Sequence, residues 1–367
     1  GNLNKVGNQL KRKGKLAEAI LEYHKAIELN PKFSWSYYNL GDALAKKGNL
    51  SEAIREYKKA VNLNSNSIWF YYNLGVALYK QGKLNGAINC FQQAKELVEL
   101  KDDLTHKKYK YLMDSFLIEA RRGLIGKSTY LSKIFTDLID PNHVNYVLEL
   151  GSRDGIDAMY LSKYYLCEVD AFECSPECIR VCLNNLKDSP SINLITKAAW
   201  DKKEVIAFYV PTNGNTGAAS CFEETGDYPF EKYNPYQILV EAIRLDSYLT
   251  RSPDLICMDL QGAELNALKG LGRFLKEVKY IITEIEVKPL YKNQCLFDEV
   301  VEFLKEWGFE LKEYVPVDNI ARDWFGDALF VNKELVKNPP VFLEIIANNE
   351  LSSVIDLQCS ERKIFSQ

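Results

Sequence analysis

The sequence contains no apolar run long enough to cross a membrane. A membrane helix needs about 20 predominantly apolar residues, and polar residues interrupt every apolar stretch of this chain before that length. Residues 1–15 are polar and basic, so no signal peptide is expected there. We therefore expect a cytoplasmic protein without a membrane span.

Histidine is scarce, and cysteine is not arranged for metal binding. The 367 residues include three histidines and nine cysteines, with no Cys-x-x-Cys pair. Cys174, Cys178 and Cys182 fall at four-residue intervals, which would place them along one face of a helix. Three thiolates without a fourth ligand make a poor zinc site. We expect reduced thiols and no metal centre.

The composition is that of an ordinary globular protein, but the charge is unevenly distributed. Apolar residues make up 47% of the chain, charged residues make up 26%, and the net charge is −4. Residues 1–100 hold 15 Lys and Arg against 8 Asp and Glu, a net of +7, so the remainder carries −4 minus +7, or −11. A basic arm would attract an anionic partner, whereas solvated helix faces explain the same pattern. Nucleic acid is not an expected partner.

The first hundred residues repeat with a period of 34. Small residues at fixed positions let two helices approach closely, and aromatic residues fill the gap to the next pair. The period and these positions resemble the tetratricopeptide repeat, a stack of helix–turn–helix hairpins, here in three units. The recurring positions are Gly7, Gly41 and Gly75; Ala19, Ala53 and Ala87; and Tyr23, Tyr57 and Phe91.

The resemblance to this repeat implies a concave face that binds a protein partner. Asn39 and Asn73 would hydrogen-bond an extended peptide there, and lysines would meet a carboxylate, although Asp42 argues against a full carboxylate clamp. The alternative is a face that only packs on neighbouring parts of the chain. The expected face comprises Asn4, Lys5, Asn8, Tyr38, Asn39, Asp42, Lys46, Tyr72, Asn73 and Lys80.

After residue 100 the period ends, and three further parts are predicted. Helical patterns at 109–120 and 129–138 indicate that 101–144 forms linker helices covering the next domain. From 145 to 335 strand and helix patterns alternate, which is typical of βαβ units and a parallel sheet. Residues 336–367 are expected to form a helical tail. The predicted strands are 146–150, 168–173, 193–198, 255–259, 280–284, 311–316 and 328–331.

A strand, a turn bracketed by glycines and a helix start follow one another around residues 149–155. Gly151 allows a close backbone approach, and Gly155 allows the helix to pack tightly. At the carboxyl end of a parallel strand such a turn binds a nucleotide. Later strand ends carry matching groups: Glu173 for a ribose, Ala199 with Trp200 for an adenine, and Asp259 in a glycine turn.

Together these strings resemble the FkbM family of S-adenosylmethionine-dependent methyltransferases. The match extends over about residues 140–335, through 149–155, 172–176, 197–201, 259–264, 283–286 and 326–330. The resemblance implies a Rossmann-like class I methyltransferase fold, which is α/β with a seven-stranded, mostly parallel sheet and a reversed last strand. It also implies S-adenosyl-L-methionine as cofactor and O-methylation of a hydroxyl on a sugar or secondary metabolite.

The resemblance assigns each side of the cofactor. The glycine turn would hold the methionine part, the acid after the second strand the ribose, and the Ala-Trp pair the adenine. The acid after the fourth strand would face the sulfonium and the acceptor. The residues are Glu149, Gly151, Ser152, Arg153, Asp154 and Gly155; Glu173 and Cys174; Ala199 and Trp200; and Asp259.

Two positions depart from the family pattern. Gln261 stands where an acid is common, which puts in doubt any role that needs a third carboxylate in this turn. Arg153 and Asp154 stand where smaller residues are common. Arg153 would reach a substrate carboxylate or pair with an acid.

Methyl transfer to a hydroxyl needs a group that removes the proton. No histidine falls at the carboxyl edge of the predicted sheet, so the candidate catalytic residues are Asp259, Glu264 and Glu284. Asp259 is best placed, whereas Glu264 suits equally well the role of a first-turn acid that stabilises its helix. Glu284 and Glu286 share the fifth strand, and we expect only Glu284 to face the crevice. Asp259 with Glu284 is too small a ligand set for an expected metal.

The loop 211–235 is long for a compact domain, which is typical of functional loops. Polar side chains in it would bind a hydroxylated acceptor, although ordinary turn chemistry explains them nearly as well. Three nearby tyrosines would stack on a sugar ring. The residues are Asn213, Asn215, Thr216, Ser220 and Glu223, with Tyr228, Tyr233 and Tyr236.

Two other functions remain open from the sequence. A nicotinamide-dependent oxidoreductase would need Gly-x-Gly-x-x-Gly, whereas this turn has Gly-x-x-x-Gly with an acid two residues before it. The second alternative is a non-catalytic scaffold whose working part is the repeat region. Methyl transfer lost in Asp259→Asn, with cofactor binding kept, would separate an enzyme from a scaffold.

Overall fold

The computed structural model describes residues 2–99, 117, 120–227, 232, 234–317 and 323–337. The chain divides into two compact units. The first comprises Gly1–Ser132, Ser152–Ala171 and Pro176–Ile195, and the second comprises Lys133–Gly151, Phe172–Ser175 and Thr196–Gln367. The predicted tail 336–367 and the predicted helix 109–120 lie almost entirely outside the described residues. None of the described helices has the length and apolar character that crossing a membrane requires.

Six helices in three consecutive pairs form the repeat region, as predicted. An added Cβ at Gly41 would lie 2.8 Å from the ring of Tyr57, and one at Gly75 would lie 2.7 Å from the ring of Phe91. Both rings are buried. The absence of a Cβ on each glycine therefore allows the aromatic ring of the next helix to pack against it. The helices are α1 (Asn2–Arg12), α2 (Leu16–Leu29), α3 (Ser34–Lys46), α4 (Leu50–Leu63), α5 (Ile68–Lys80) and α6 (Leu84–Glu99).

Polar side chains on the first helices of the repeats bond to one another. Lys11 Nζ and Asp42 Oδ2 form a buried ion pair at 2.6 Å. Asn73 Nδ2 donates to the Tyr38 hydroxyl at 3.1 Å and to the carbonyl oxygen of Trp69 at 2.9 Å. Part of the predicted peptide-binding face therefore joins one repeat to the next.

Within the first compact unit, the third repeat adjoins residues 123–127. An added Cβ at Gly123 would lie 2.3 Å from Leu84 Cδ1. A cleft of about 320 Å³ lies between residues 82–86 and 123–127, with Tyr160 on its wall. The segment from 120 to 132 thus connects the repeats to the helix that carries Tyr160.

A short irregular segment leads to the main sheet. It contains the 3-10 helices Thr129–Leu131 and Pro141–His143, with α7 (Lys133–Thr136) between them. The continuous helix predicted for 129–138 is wrong, because Ser132 is extended, with ψ 150°, and interrupts it.

Ten strands build two sheets in the described part of the chain. The main sheet has seven strands and the second has three. The strands are β1 (Tyr146–Leu150), β2 (Glu168–Phe172), β3 (Ile192–Ile195), β4 (Ala198–Trp200), β5 (Glu204–Val210), β6 (Tyr236–Arg244), β7 (Leu255–Met258), β8 (Tyr280–Glu286), β9 (Phe309–Pro316) and β10 (Phe325–Asn332).

The main sheet has the order β3-β2-β1-β7-β8-β10-β9. β1 pairs in parallel with β7, and β7 with β8, whereas β10 is antiparallel to β8 and β9. The seven-stranded, mostly parallel sheet implied by the family resemblance is confirmed. Because the chain winds away from β1 in both directions, a crevice is expected at the carboxyl ends of β1 and β7.

Helices connect the strands of the main sheet. The Ser-Pro-Glu sequence at 175–177 predicts a helix that extends to Leu186, and α9 (Pro176–Leu186) occupies these residues. The sequence pattern also predicts a helix from Ala263 to about Phe274, whereas the α-helix ends at Gly270 and is followed by the 3-10 helix Gly272–Glu277. The helices are α8 (Ile156–Tyr165), α9 (Pro176–Leu186), α10 (Leu245–Tyr248), α11 (Glu264–Gly270) and α12 (Phe297–Glu306).

The second sheet was not predicted, and it changes one strand assignment. Its order is β4-β6-β5, with β4 parallel to β6 and β5 antiparallel to it. The strand predicted at 193–198 is present as β3, but its predicted end is wrong, because the main-sheet strand ends at Ile195 and Ala198–Trp200 pairs with Ala242–Arg244 in the other sheet. Phe208, Val210 and Val240 form part of the small apolar core of this sheet.

Candidate active site

Gly151, directly after β1, lies where the backbone of three strand ends meets. Its N–H donates to the carbonyl oxygen of Phe172, at the end of β2, at 3.0 Å. An added Cβ would lie 2.1 Å from the carbonyl oxygen of Asp259, after β7. With φ at +87°, the position also favours glycine conformationally. The predicted close approach at Gly151 is therefore present.

The turn after Gly151 leads into α8. Asp154 Oδ1 accepts a hydrogen bond from the backbone N–H of Ile156 at 3.0 Å, which satisfies a donor at the start of this helix. An added Cβ at Gly155 would lie 3.0 Å from the side chain of Leu186 in α9. Asp154 and Gly155 thus have structural roles in the turn, and their roles in cofactor binding, with those of Ser152 and Arg153, stay predictions.

Two acids at the ends of β1 and β2 are buried. Glu149 is 1% exposed and Glu173 is 8% exposed. Glu173 Oε1 accepts hydrogen bonds from the N–H groups of Cys174 and Ser175, at 2.8 and 2.7 Å. These bonds fix the carboxylate at the start of α9. The ribose-binding role of Glu173 stays a prediction.

The predicted adenine-binding residues lie against the second sheet. Trp200 and Cys174 pack on its apolar core together with Cys221, and Ala199 is buried. The Trp200 ring lies 6.0 Å from that of Phe222. This aromatic and apolar wall therefore combines β4 and the loop after β5 with Cys174, which follows β2 of the main sheet.

Asp259 and Glu284 are brought together by strand register. Met258 of β7 pairs with Thr283 of β8, so the next residues in each chain segment, Asp259 and Glu284, are neighbours. Asp327 of β10 pairs with Glu284 from its other side. A negative charge on one of these neighbouring carboxyl groups disfavours the ionisation of the next.

The side-chain amide of Gln261 bridges these two carboxyls. Its Nε2 donates to Asp259 Oδ1 at 2.6 Å and to Glu284 Oε1 at 2.8 Å. Its Oε1 accepts from the hydroxyl of Tyr291 at 2.7 Å. The backbone carbonyl of Gln261 accepts from Ser220 Oγ at 2.7 Å. The loop 211–235 and the carboxyl pair therefore meet at Gln261.

Glu264 completes the turn that precedes its own helix. It is 1% exposed and its Oε1 accepts from the backbone N–H of Leu260 at 2.8 Å. Burial raises the pKa of Glu264 to about 7, and the nearby Asp259 charge acts in the same direction. Among the described residues its Oε2 has no hydrogen-bond partner. These contacts favour the structural alternative for Glu264 over direct catalysis.

Glu286 faces the same side as Glu284, so the expectation that only one of them faces the crevice is wrong. Residues two apart along a strand point to the same face. Burial, followed by the charges of Asp259 and Glu286, raises the pKa of Glu284 well above its usual range. Burial, followed by the charge of Glu264, does the same to Glu286. Neither carboxyl oxygen of Glu286 has a hydrogen-bond partner within the described ranges.

Most polar residues predicted to bind the acceptor serve the loop itself. Asn213 Oδ1 accepts from the N–H of Asn215 at 3.0 Å. Glu223 pairs with Lys292 at 2.9 Å. Thr216 begins the 3-10 helix Thr216–Ala218. Turn chemistry therefore accounts for the contacts of Asn213 and Thr216, and an ion pair with a distant segment accounts for Glu223. Acceptor binding by these residues stays a prediction.

Aromatic residues near the carboxyl pair differ from those predicted. Tyr236 is exposed at the start of β6, while Tyr228 and Tyr233 lie outside the described residues. Instead, Tyr291 forms an apolar cluster with Phe222 and Trp324. Since the Tyr291 hydroxyl reaches Gln261, this cluster borders the carboxyl pair.

The residues present fit S-adenosylmethionine. The lack of a Cβ at Gly151 lets the turn after β1 lie against the carbonyl oxygen of Asp259, so the two strand ends predicted to hold the cofactor are side by side. Glu149 and Glu173 suit an ammonium and two ribose hydroxyls, and Trp200 offers an aromatic face. Asp259 supplies negative charge for a sulfonium.

Sequence reasoning missed Gln261, Tyr291 and Glu286 as parts of the site. Gln261 was singled out as a departure from the family, and its amide is the chemical reason that two acids coexist beside it. Glu286 was recognisable from the two-residue period of a strand. Tyr291 has no sequence signal, because it reaches the site from the loop after β8.

Comparisons with known families agree with this architecture. Residues 149–311 match the family described as Methyltransferase FkbM domain. Residues 7–48 and 41–82 match a TPR repeat, and residues 68–98 match the tetratricopeptide repeat. Both resemblances predicted from the sequence are confirmed.

Individual proteins match each part of the chain. The 2-O-methyltransferase NoeI of Sinorhizobium fredii (strain NBRC 101917 / NGR234) is 29% identical over 250 residues, covering 62% of this chain and 98% of NoeI. The repeats are similar to the type III secretion translocator chaperone SycD of Yersinia enterocolitica, with 19% identity over 33% of this chain and 82% of SycD, at a TM-score of 0.31. The TPR2B domain of yeast Sti1, in its complex with pHsp70, has 20% identity over 33% of this chain and 94% of that chain, at a TM-score of 0.31. Scores at this level do not bear on function.

Proposed function

We propose that this chain, which carries an FkbM methyltransferase domain behind N-terminal tetratricopeptide repeats, transfers the methyl group of S-adenosyl-L-methionine to a hydroxyl of a sugar or secondary metabolite. The observation that carries the proposal is the carboxyl pair Asp259 and Glu284, which Gln261 joins beside the Gly151 turn. The similarity to NoeI, a 2-O-methyltransferase, supports transfer to oxygen.

The cofactor would lie along the carboxyl ends of the strands. Glu149 and Gly151 would hold its methionine part, Glu173 its ribose and Trp200 its adenine. When bound, the cofactor supplies an electrophilic methyl group on a positively charged sulfur. Asp259 would face that charge.

The reaction joins the acceptor oxygen to the methyl carbon and breaks the bond between that carbon and the sulfur. The proton of the hydroxyl passes to Asp259. Burial raises the pKa of Glu284 well above its usual range, so Glu284 holds its proton more tightly than an exposed carboxyl does, which favours placing the negative charge on Asp259. A positioned base of this kind contributes roughly 10²–10⁴-fold to the rate.

Cofactor binding is the first test. Calorimetry on the full chain is expected to show binding of both S-adenosylmethionine and S-adenosylhomocysteine. Glu173→Ala is expected to weaken both by roughly tenfold or more, the cost of lost hydrogen bonds to a charged group. The matched control is Glu168→Ala, an exposed acid at the other end of β2. Absence of heat with either ligand would refute the proposal.

Methyl transfer is the second test. Labelled S-adenosylmethionine and a panel of methyl glycosides are the probes, and Asp259→Asn is expected to lower transfer by roughly 10²–10⁴-fold. Cofactor affinity in the same variant should stay within a few-fold of the parent. Unchanged transfer in Asp259→Asn would favour the scaffold alternative.

We also propose that the repeats bind a protein partner. Asn39 is nearly buried on the predicted face, and Asp42 already pairs with Lys11. The partner segment is therefore expected to bind through its backbone, without needing a free carboxyl terminus. A peptide library with free and amidated termini, probed with the full chain, tests this. Asn39→Ala should lower binding, and strict dependence on a free terminus would contradict the expectation.

A further inference from the structure

The side-chain amide of Gln261 forms hydrogen bonds with three residues, Asp259, Glu284 and Tyr291. Its Nε2 carries two protons, and the two acceptors within reach are Asp259 Oδ1 and Glu284 Oε1. Its Oε1 faces the Tyr291 hydroxyl. A neutral donor is thus shared between two acids of adjacent strands.

Tyr291 determines which way this amide points. The tyrosine is 2% exposed, and its hydroxyl lies 2.7 Å from Gln261 Oε1 and 3.2 Å from the carbonyl oxygen of Ala218. As a donor, it holds Oε1 on its own side and Nε2 on the side of the acids. The reverse orientation would turn the amide oxygen toward two carboxyls, which is repulsive whenever either is ionised.

The backbone at Gln261 is strained. Its φ of +51° lies in the left-handed region, which is unfavourable for a non-glycine residue. Glycine or asparagine would adopt this conformation more readily, yet neither would reach both acids. The hydrogen bond from the buried Ser220 to the Gln261 carbonyl oxygen holds the strained turn in place.

We propose that Gln261 is a positioning residue for the methyl transfer, whose amide fixes Asp259 and Glu284 in one arrangement and supports a negative charge between them. The inference rests on the proposed function and deepens it. Gln261 acts through the two acids and does not touch the acceptor.

The charge of this pair should respond to the cofactor. Glu284 is faced by Asp259 and Gln261 from the β7 turn, Glu286 on its own strand, Asp327 on β10 and Tyr314 on β9. A positive sulfonium beside the pair favours its ionised form and lowers its pKa. Binding of S-adenosylmethionine should therefore release protons, whereas binding of the uncharged sulfur of S-adenosylhomocysteine should not.

Gln261→Met tests the donor role with a side chain of similar length. Loss of both N–H groups disfavours the ionised pair and raises its pKa. The curve of protons released against pH should then move to higher pH. The binding affinity for S-adenosylmethionine should fall by roughly tenfold relative to that for S-adenosylhomocysteine, which is the equivalent of one pKa unit. Calorimetry of the full chain in buffers of different ionisation enthalpy measures both quantities.

Tyr291→Phe is the second variant, because it keeps Gln261 and removes only the group that orients its amide. It should shift the proton-release curve in the same direction and by less. Gln237→Met, at an exposed position of β6, is the matched control and should behave as the parent.

The outcomes separate the two proposals. A parent chain that binds neither ligand refutes the proposed function. Binding with the same proton-release curve in the parent, Gln261→Met and Tyr291→Phe would overturn the positioning role and leave the methyltransferase intact. If Gln261→Met fails to bind either ligand and Tyr291→Phe matches the parent, the role of Gln261 is structural and the inference is wrong.

Discussion

Glu264 is buried near the carboxyl groups of Asp259 and Glu286, and its pKa is raised to about 7. A carboxyl that binds its proton more tightly in the folded state makes the protein less stable as pH rises. The loss begins near the unfolded value of 4.5 and is complete above the folded value. Glu284 and Glu286, whose pKa values are raised in the same direction, extend this loss to higher pH.

Glu264→Gln should stabilise the folded protein at alkaline pH. The substitution removes a carboxyl whose ionisation in the folded state costs about 3 kcal/mol. The glutamine oxygen still accepts a hydrogen bond from the Leu260 N–H, although its buried amide N–H groups lack partners, which lowers the gain. We expect a gain of about 1–3 kcal/mol at pH 8 and little change at pH 4. Denaturant unfolding at both pH values measures it. Glu302→Gln, exposed on α12, is the control, and an equal effect in both variants would contradict the explanation.

Gly151→Ala should abolish cofactor binding, because its Cβ would lie 2.1 Å from the Asp259 carbonyl oxygen. Gly214 is the matched control: its φ is also positive, at +83°, but no atom lies within 4 Å of an added Cβ. Gly214→Ala should therefore cost only about 1–2 kcal/mol of backbone strain. Calorimetry with S-adenosylhomocysteine and denaturant unfolding compare the two, and normal binding by Gly151→Ala would contradict the predicted cofactor turn.

Individual site residues were predictable where a strand end marked them. Gly151 and Asp259 each follow a run of apolar residues that is buried on both faces, and such runs are visible in sequence. Gln261 and Tyr291 were not predictable as a pair, since they are 30 positions apart in the sequence and a whole strand lies between them. Only the folded register of β7 and β8 brings their partners together.

At the scale of helices, each repeat depends on one glycine that accepts an aromatic ring. Gly75→Ala would place a Cβ 2.7 Å from the buried Phe91 ring. Overpacking of this kind costs about 1–3 kcal/mol. Gly86→Ala is the control, because its nearest contact is the flexible end of Leu78 at 3.1 Å and alanine favours a helix by about 1 kcal/mol.

Hydrogen exchange in the full chain measures this difference. Gly75→Ala should speed exchange in α5 and α6, while Gly86→Ala should leave it unchanged or slower. Equal acceleration by both substitutions would show that the ring contact does not decide the packing.

Strands and helices differed in how well the sequence predicted them. β1 and α9 occupy the predicted residues, because a short run that is apolar except for Glu149 and a helix start with Ser-Pro-Glu are local signals. β5 and β6 went unrecognised. They form a sheet with one covered face, so only alternate residues such as Val240 and Ala242 are buried. A weak alternation of this kind was interpreted as loop.

For the whole molecule, the 120–132 segment links the third repeat to α8. Leu84 of α6 meets Gly123, and the 3-10 helix Thr129–Leu131 packs on α8. Repeats influence mainly their nearest neighbours. Gly75→Ala should therefore speed hydrogen exchange in α8 as well, whereas Gly7→Ala in the first repeat, with its Cβ 2.5 Å from the Tyr23 ring, should not. An equal response of α8 to both would refute this local route.

The same link has a thermodynamic consequence. Helix α8 starts at the turn predicted to hold the cofactor, and any free energy that passes between this turn and the third repeat must do so in both directions. A partner that tightens the repeats and raises cofactor affinity by some factor would itself be bound more tightly, by that same factor, when the cofactor is present. The cellular concentration of the methyl donor would then influence what fraction of the protein has its partner bound.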